Sequence, residues 1–314
     1  MRNVVAIAVA APWVVWALVR AVGLELPYPF VALLAFTPYA AASSPVPVLA
    51  GLLLRRRAVA GVSGVAMLAF AVALVPRALG GPDPAAGGPR LVVMTSNLYL
   101  GQADAAALMR IAREHDVDVL SVQELRPGLM RRLDRAGAKA LFPERVLDPR
   151  ERASGSGVFS RTPLAVVDTR TNRTGHAEPE VSLTVAGAPA VRVKAVHPAP
   201  PVNPSAAPNW RDALAALPAS DSRGDVQILA GDFNATLDHP ELRDLLGRGY
   251  TDAADAVGAG LKWTWPALRR GRALPLTIDH VLVDKRVKVE KVTVVRVPGS
   301  DHRAVIAVLR LPRG

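Results

Sequence analysis

Cysteine is absent from this 314-residue chain. Its absence removes disulfides, thiolate metal sites and cysteine nucleophiles, but assigns no compartment, because a disulfide-free domain occurs on either side of a membrane. Aromatic residues are scarce at 5%, although hydrophobic residues reach 50%. Alanine, valine and leucine therefore supply the apolar mass, and little material is left for the base-stacking platforms of a nucleic-acid groove. Acids are nearly missing from the first quarter. Residues 1–80 hold six basic residues (Arg2, Arg20, Arg55, Arg56, Arg57, Arg77) and a single acid, Glu25. The whole chain has 38 basic and 27 acidic residues, so residues 81–314 keep 32 and 26, or +6 of the total +11. That excess suits phosphate-bearing substrates or an anionic membrane surface. An arginine-rich composition with no partner behind it reads the same way.

What the first quarter has instead is three uncharged runs, 3–19, 27–54 and 58–75. The first and third are near the length of a membrane span, and the second is longer but interrupted by Pro38, Pro45 and Pro47. Arg55-Arg56-Arg57 lies between the second and third. A basic cluster in a short loop marks the cytoplasmic side, so threading from it predicts an inside N-terminus, about three transmembrane helices over residues 1–79, and an extracytoplasmic remainder. A cleaved signal peptide explains only the first run. If the proline-rich run does not span, two crossings return the remainder to the cytoplasm. Residues 80–89 (Gly-Gly-Pro-Asp-Pro-Ala-Ala-Gly-Gly-Pro) read as a linker, leaving 90–314 as one domain with no internal repeat.

In that domain, strands are predicted at 90–96, 117–122, 157–160, 163–168, 226–230, 278–283, 287–297 and 304–311, with a hairpin of 181–185 and 190–196 about Gly187. Helical spacing covers 103–115, 128–136, 209–217 and 240–246. Many strands with interspersed helices predict an α+β sandwich of two sheets with helices outside.

Short polar signatures sit at the ends of the apolar runs. Glu124 follows 117–122, and a carboxylate there suits a hard divalent cation such as Mg²⁺. Asn97 follows 90–96 and can supply a carbonyl oxygen or contact phosphate. Gly231-Asp232-Phe233-Asn234 follows a buried strand: glycine permits a tight turn, and Asp232 and Asn234, two apart in an extended segment, can point the same way. Carboxylate beside amide can orient a water and hold a phosphoryl oxygen; a plain Asx turn is the alternative. Asp279 and Ser300-Asp301-His302 complete the set, since a carboxylate can fix the tautomer of an imidazole and keep it protonated to stabilise charge on phosphorus. His197 is a second candidate donor. Trp263 and Trp265, with Arg269, Arg270 and Arg272, form a loop that either meets lipid headgroups or is a packed tryptophan pair beside a solvated basic stretch.

In this order, Asn97, Gln123-Glu124, His197, Gly231-Asp232-Phe233-Asn234, Asp279 and Ser300-Asp301-His302 resemble the endonuclease/exonuclease/phosphatase superfamily of DNase I-like nucleases, inositol polyphosphate phosphatases and bacterial sphingomyelinases. The resemblance covers about residues 91–311. It implies a four-layer α/β/β/α sandwich and a phosphoric ester hydrolase using Mg²⁺ or Mn²⁺. It makes Glu124 the principal metal ligand, with Asn97 beside metal and phosphate and Asp301 assisting. Asp232 would orient or deprotonate the attacking water, Asn234 and His197 would contact the phosphate, and His302, oriented by Asp279, would stabilise the transition state. His280 stands where many relatives carry tyrosine. The layout of three spans before such a domain also resembles the membrane-anchored VanJ-type teicoplanin-resistance proteins of actinomycetes. That resemblance implies a lipid phosphate or pyrophosphate substrate at the outer face of the cytoplasmic membrane, such as a polyprenyl carrier. A membrane-tethered DNase I-like nuclease or phosphodiesterase is the second reading, and a binding protein that has kept the fold is a third. Monoester, diester and pyrophosphate hydrolysis are all open.

Overall fold

The structure, a computed structural model, describes residues 2–81, 87–221, 223–267 and 273–314. Residues 82–86 of the expected linker, and Arg269, Arg270 and Arg272 of the basic loop, lie outside them.

Alternation of inward and outward side chains builds the domain. Twelve strands run β1 (Arg90–Asn97), β2 (Val119–Gln123), β3 (Glu144–Asp148), β4 (Ser156–Ser160), β5 (Leu164–Asp168), β6 (Glu180–Leu183), β7 (Val191–Val196), β8 (Val226–Asp232), β9 (Tyr250–Asp252), β10 (Asp279–Asp284), β11 (Lys288–Arg296) and β12 (Arg303–Arg310). They form two six-stranded sheets, β11-β12-β1-β2-β4-β3 and β5-β6-β7-β8-β10-β9. In β1, Leu91 and Val93 face the second sheet and join Val119, Val158, Val193, Ile228 and Val281 in the inner core. Val92 and Met94 face the other way, onto Leu108, Met109, Leu129 and Leu133 of the helices Ala105–Glu114 and Pro127–Arg135. On the second sheet Val196, Leu229 and Leu282 pack outward against Trp210, Leu242 and Leu245 of the helices Ala206–Ala215 and Pro240–Gly247. Strands covered on both faces read as continuous apolar runs, and the result is the helix–sheet–sheet–helix sandwich expected of a DNase I-like fold.

Several boundaries differ from the predicted ones for local reasons. The helix predicted from 103 starts at Ala105, because the Asp104 carboxylate accepts from the Ala106 and Ala107 amides and caps it. The one predicted from 209 starts at Ala206, after Asn203 Oδ1 accepts from the Ser205 and Ala206 amides. Two strands were not legible: β3 is a half-buried edge strand, and β9 has three residues. β8 does not end at 230 but continues through Gly231 and Asp232. Gly231 therefore makes no turn. It pairs with Val196 and His280 on its two flanks, and a Cβ there would run into the Val196 carbonyl oxygen. We expect Gly231→Ala to lower stability by about 3 kcal/mol, the upper range for overpacking, read as a lower thermal midpoint. A midpoint equal to wild type would show that the strands can part at no cost.

The N-terminal quarter forms the helix Arg2–Val22, a bent series with Phe30–Leu33, Thr37–Ser43 and Pro45–Leu53, and the helix Arg57–Leu74 followed by Pro76–Leu79. Among the described residues, two helices are long and apolar enough to cross a membrane, and the middle pair, bent by 46°, is a third if counted as one span. The first and last helices run side by side in the same direction. Ile7, Ala10 and Val14 face Ala58, Val59 and Val62, Ala17 meets Ala66 and Phe70, and Arg20 and Arg77 reach the same carboxylate, Asp238. The middle segment runs back between these ends, with Trp16 Nε1 donating to Thr37 Oγ1 and Trp13 Nε1 to the Ala40 carbonyl.

This bundle packs directly onto the sandwich. Asp238 is fully buried and accepts from Arg20 Nε at 2.6 Å and from the Arg77 guanidinium at 2.9 and 3.0 Å. Arg77 also donates to the Leu237 carbonyl. His239 accepts the Thr236 amide at Nδ1 and therefore donates from Nε2 to the Val31 carbonyl, 3.1 Å away. Burial holds this imidazole below its ordinary pKa, in keeping with the neutral tautomer. Val31 itself is fully buried in the outer core of the second sheet, and Tyr39 donates to the Pro275 carbonyl.

Candidate functional site

Strand ends of both sheets meet at one edge of the sandwich. β1 and β2 lie parallel with Asn97 opposite Gln123, so Asn97 and Glu124 leave the first sheet side by side. In the second sheet Asp232 pairs across from Asp279, and His197 follows the end of β7, the other neighbour of β8. Ser300 Oγ donates to the Asn97 carbonyl at 2.7 Å and accepts the His302 amide at 3.0 Å, which ties the Ser-Asp-His turn to the end of β1.

Asp232 is the centre of the cluster. Its Oδ2 accepts from Asn97 Nδ2 at 3.0 Å and its Oδ1 from the Asn234 amide at 2.9 Å. Asn97 Nδ2 also donates to Glu124 Oε1 at 3.1 Å, and the Leu100 amide donates to Glu124 Oε2 at 2.6 Å. His302 Nδ1 is 2.9 Å from Asp279 Oδ2, while its Nε2 lies 3.8 Å from Asp232 and 3.9 Å from Asp301. His197 Nε2 is 4.0 Å from Asp232. The structure thus brings all eight predicted site residues together: six line one cavity, and Asn97 and Asp279 are hydrogen-bonded to its Asp232 and His302. One expectation needs correction: Asn234 is not extended from Asp232 but sits at φ 49° in a turn, with its side chain donating to the Pro198 carbonyl. An Asx turn closed on Asp232 wins over the strand pattern there. Tyr99, Leu100 and Glu124 are also left-handed, and such strained backbone persists where the surroundings over-determine it.

Electrostatics separate the roles. Burial, then the neighbouring Asp279, pushes Asp232 up to about 7. Burial works against the charge on His302, but Asp279 and then Asp232 outweigh it and push the imidazole up to about 10. Burial, with the nearby His176 and His302, holds His197 well below its ordinary value, so it is neutral. Burial raises Glu124 and Asp301 as well.

Four carboxylates, Glu124, Asp232, Asp279 and Asp301, therefore surround one imidazolium, and among the described residues Asp301 Oδ1 is buried with no hydrogen-bond partner. Oxygen donors with uncompensated negative charge fit a hard divalent cation. Asp232, Asp279 and His302 are close enough to hold an ion, but a protonated imidazole has no lone pair to give. The oxygen side formed by Glu124 and Asp301 fits better.

The cavity above the cluster is about 460 Å³. Some of its walls lie outside the predicted catalytic and metal residues. Trp265 lines it and donates to Asp301 Oδ2 at 3.2 Å, while its neighbour Trp263 stacks under Arg303, whose Cζ is 3.3 Å from the ring centroid. The two tryptophans are therefore not a packed pair. His176 packs against His197 with centroids 4.6 Å apart and rings tilted by 53°, and buried Glu178 holds the His197 amide. Ala32, Ala35 and Phe36, from the middle apolar run, close one side.

Solved structures share this architecture. D. rerio TDP2 complexed with single-strand DNA product aligns with a TM-score of 0.56 at 17% identity, over 70% of this chain and 99% of that one. Truncated Caenorhabditis elegans TDP2 aligns at 0.52 and 16%, over 70% and 98%. An endonuclease/exonuclease/phosphatase from Beutenbergia cavernae aligns at 0.54 and 20%, over 71% and 72%. At such identities the likeness is one of fold. No curated protein matches the sequence. The model of the Endonuclease/Exonuclease/phosphatase family matches residues 94–302, from β1 to His302. With that span and this fold, the chain belongs to the endonuclease/exonuclease/phosphatase family of phosphoester hydrolases.

Proposed function

We propose that this protein is a membrane-anchored, Mg²⁺- or Mn²⁺-dependent phosphoesterase that hydrolyses a phosphorylated or pyrophosphorylated lipid at the outer face of the membrane, as in the VanJ-type layout. One observation carries the lipid substrate: Ala32, Ala35 and Phe36 of the apolar N-terminal quarter form a wall of the same cavity that holds Glu124, Asp232 and His302. Leu100 and Val202, 38% and 61% exposed, add an apolar rim at its mouth. A hydrolase of soluble nucleic acid has no use for an apolar wall supplied by membrane-type helices. The outward orientation is supported by the two parallel helices, whose C-terminal ends meet the catalytic domain while Arg55–Arg57 lies at their far end.

Glu124 and Asp301, with Asn97 beside them, would hold the cation, which when bound supplies Lewis-acid stabilisation of phosphoryl oxygen charge. The remaining chemistry belongs to side chains. Asp232, held by Asn97 and the Asn234 amide, accepts a proton from water as the water oxygen bonds to phosphorus. The ester or anhydride bond breaks and its electron pair leaves with the departing oxygen. His302, fixed through Nδ1 by Asp279, turns Nε2–H toward the cavity and stabilises charge on the phosphoryl group. Neutral His197 and the Asn234 side chain, through the N–H not used on the Pro198 carbonyl, contact the phosphate.

The test is phosphate release by detergent-purified full-length protein from a polyprenyl pyrophosphate and, in parallel, nicking of plasmid DNA, each with Mg²⁺ or with EDTA. Release from the lipid that EDTA abolishes and Mg²⁺ restores is the expected result. Cleavage of DNA alone would move the protein to the nuclease reading, and EDTA-resistant turnover would remove the metal.

A further inference from the structure

A second cavity adjoins the first. It is about 270 Å³ and lies in the helical quarter, lined by Pro12, Trp13, Trp16, Phe36, Tyr39, Ala40 and Ser43. Phe36 lines both cavities, so its ring stands between them. The groove has a direction. Arg20, at the end of the first helix, is held by the catalytic domain. Trp16 is about one turn back from it and Trp13 about one turn further. On the facing segment Thr37 is bonded to Trp16, and Ala40 and Ser43 to Trp13. Both walls thus lead away from the reaction cavity, over about 10 Å between Phe36 and Ser43. Their polar groups are already spent: both indole N–H groups and the Thr37, Ser43 and Tyr39 hydroxyls have partners, Tyr39 on the Pro275 carbonyl. The groove therefore presents apolar surface, between a helix long and apolar enough to be a membrane span and the bent middle pair, which passes only when counted as one span.

We infer that this groove is the tail site of the substrate: the single apolar chain of a phosphorylated lipid passes Phe36 and lies between Trp16 and Tyr39, then between Trp13 and Ala40, while its phosphate sits at Asp232 and His302. The inference rests on the lipid-phosphate reading and adds to it a length requirement. A chain too short to pass Phe36 gains nothing from the groove, and a chain that fills it gains no more by growing. One groove walled by helices on both sides takes one chain, so single-chain phosphates are preferred over two-chain phosphatidic acids.

The experiment is a series of monoalkyl phosphates of increasing chain length, assayed with full-length wild type and with Ala40→Phe in the same detergent. Ala40→Phe places a ring inside the groove. In wild type, kcat/KM should rise by up to about threefold per methylene until the groove is filled, then level off. In Ala40→Phe the advantage of the longest over the shortest chain should fall at least about tenfold. Comparing slopes within each enzyme cancels partition into detergent. A second readout needs no turnover: a phosphate with a diazirine at its chain end, bound in EDTA, should label peptides containing Trp13, Trp16 or residues 37–43, and unlabelled long-chain phosphate should compete. Hydrolysis with equal slopes in the two proteins, or labelling that no lipid competes away, would overturn the groove while leaving the lipid phosphatase standing. Hydrolysis of DNA and of none of the alkyl phosphates would remove both.

Discussion

Replacing Asp232 with alanine is expected to lower phosphoester turnover by about 10²–10⁴-fold, the usual contribution of a positioned proton acceptor, with little change in substrate binding. The carboxylate is buried and held at both oxygens by Asn97 and the Asn234 backbone amide, so its loss also frees the Asx turn at Asn234. The same cluster sets the pH profile. Asp232, pushed up to about 7 by burial and Asp279, must be ionised to take a proton, so activity falls as pH drops below its pKa. A cation on Glu124 and Asp301 favours the ionised form and moves this acid limb lower. His302, pushed up to about 10, must stay protonated, so activity falls above that pH. The profile of kcat/KM is thus a bell. Asp279→Asn removes the main charge that raises His302 and, after burial, the main cause that raises Asp232, so both limbs of the bell should shift to lower pH. An alkaline limb that stays in place in Asp279→Asn would show that another group titrates there. Turnover of Asp232→Ala within threefold of wild type would take the proton acceptor away from this residue.

The largest stability effect is expected at Asp238. Removing one partner of a buried ion pair costs about 3–5 kcal/mol, because the remaining charge is left unpaired. Here two guanidinium groups would be stranded, since Arg20 and Arg77 share this one carboxylate and their side chains are only 14% and 8% exposed. Asp238→Ala should therefore lower the thermal midpoint of the detergent-solubilised protein by many degrees. It should also lower turnover, because releasing the helix ends loosens the segment whose Ala32, Ala35 and Phe36 wall the cavity. Asp238→Asn, which keeps hydrogen-bond acceptance by one oxygen, should fall between. A midpoint for Asp238→Ala within about a degree of wild type would mean that the bundle does not depend on this clamp.

Sandwich and site differ in how far the sequence alone reveals them. The strand ends that carry chemistry were readable because each polar signature interrupts a run of β-branched residues, and two-sided burial makes such runs continuous. Residues close in sequence, such as Ser300, Asp301 and His302, carry their geometry with them. The edge strand Glu144–Asp148 has no such run, since it is half-exposed. Gly231 was misread as a turn former because its need for a missing Cβ arises only from the neighbouring Val196 carbonyl, 35 positions earlier in the chain. Asn234 looked extended until the Asx turn onto Asp232 was visible.

Trp265, His176 and Phe36 belong to the cavity for reasons no local pattern contains: a bond to Asp301, a ring contact with His197, and a helix docked through Asp238. By itself the sequence determined the two-sheet class, the apolar N-terminal helices and the ordered set of carboxylates and imidazoles, because these follow from periodicity, hydropathy and residue chemistry along the chain. Only the tertiary structure decided that the apolar quarter lies against the reaction centre and walls its cavity, because that depends on contacts between residues some 200 positions apart, such as Arg20 with Asp238 and Val31 with His239.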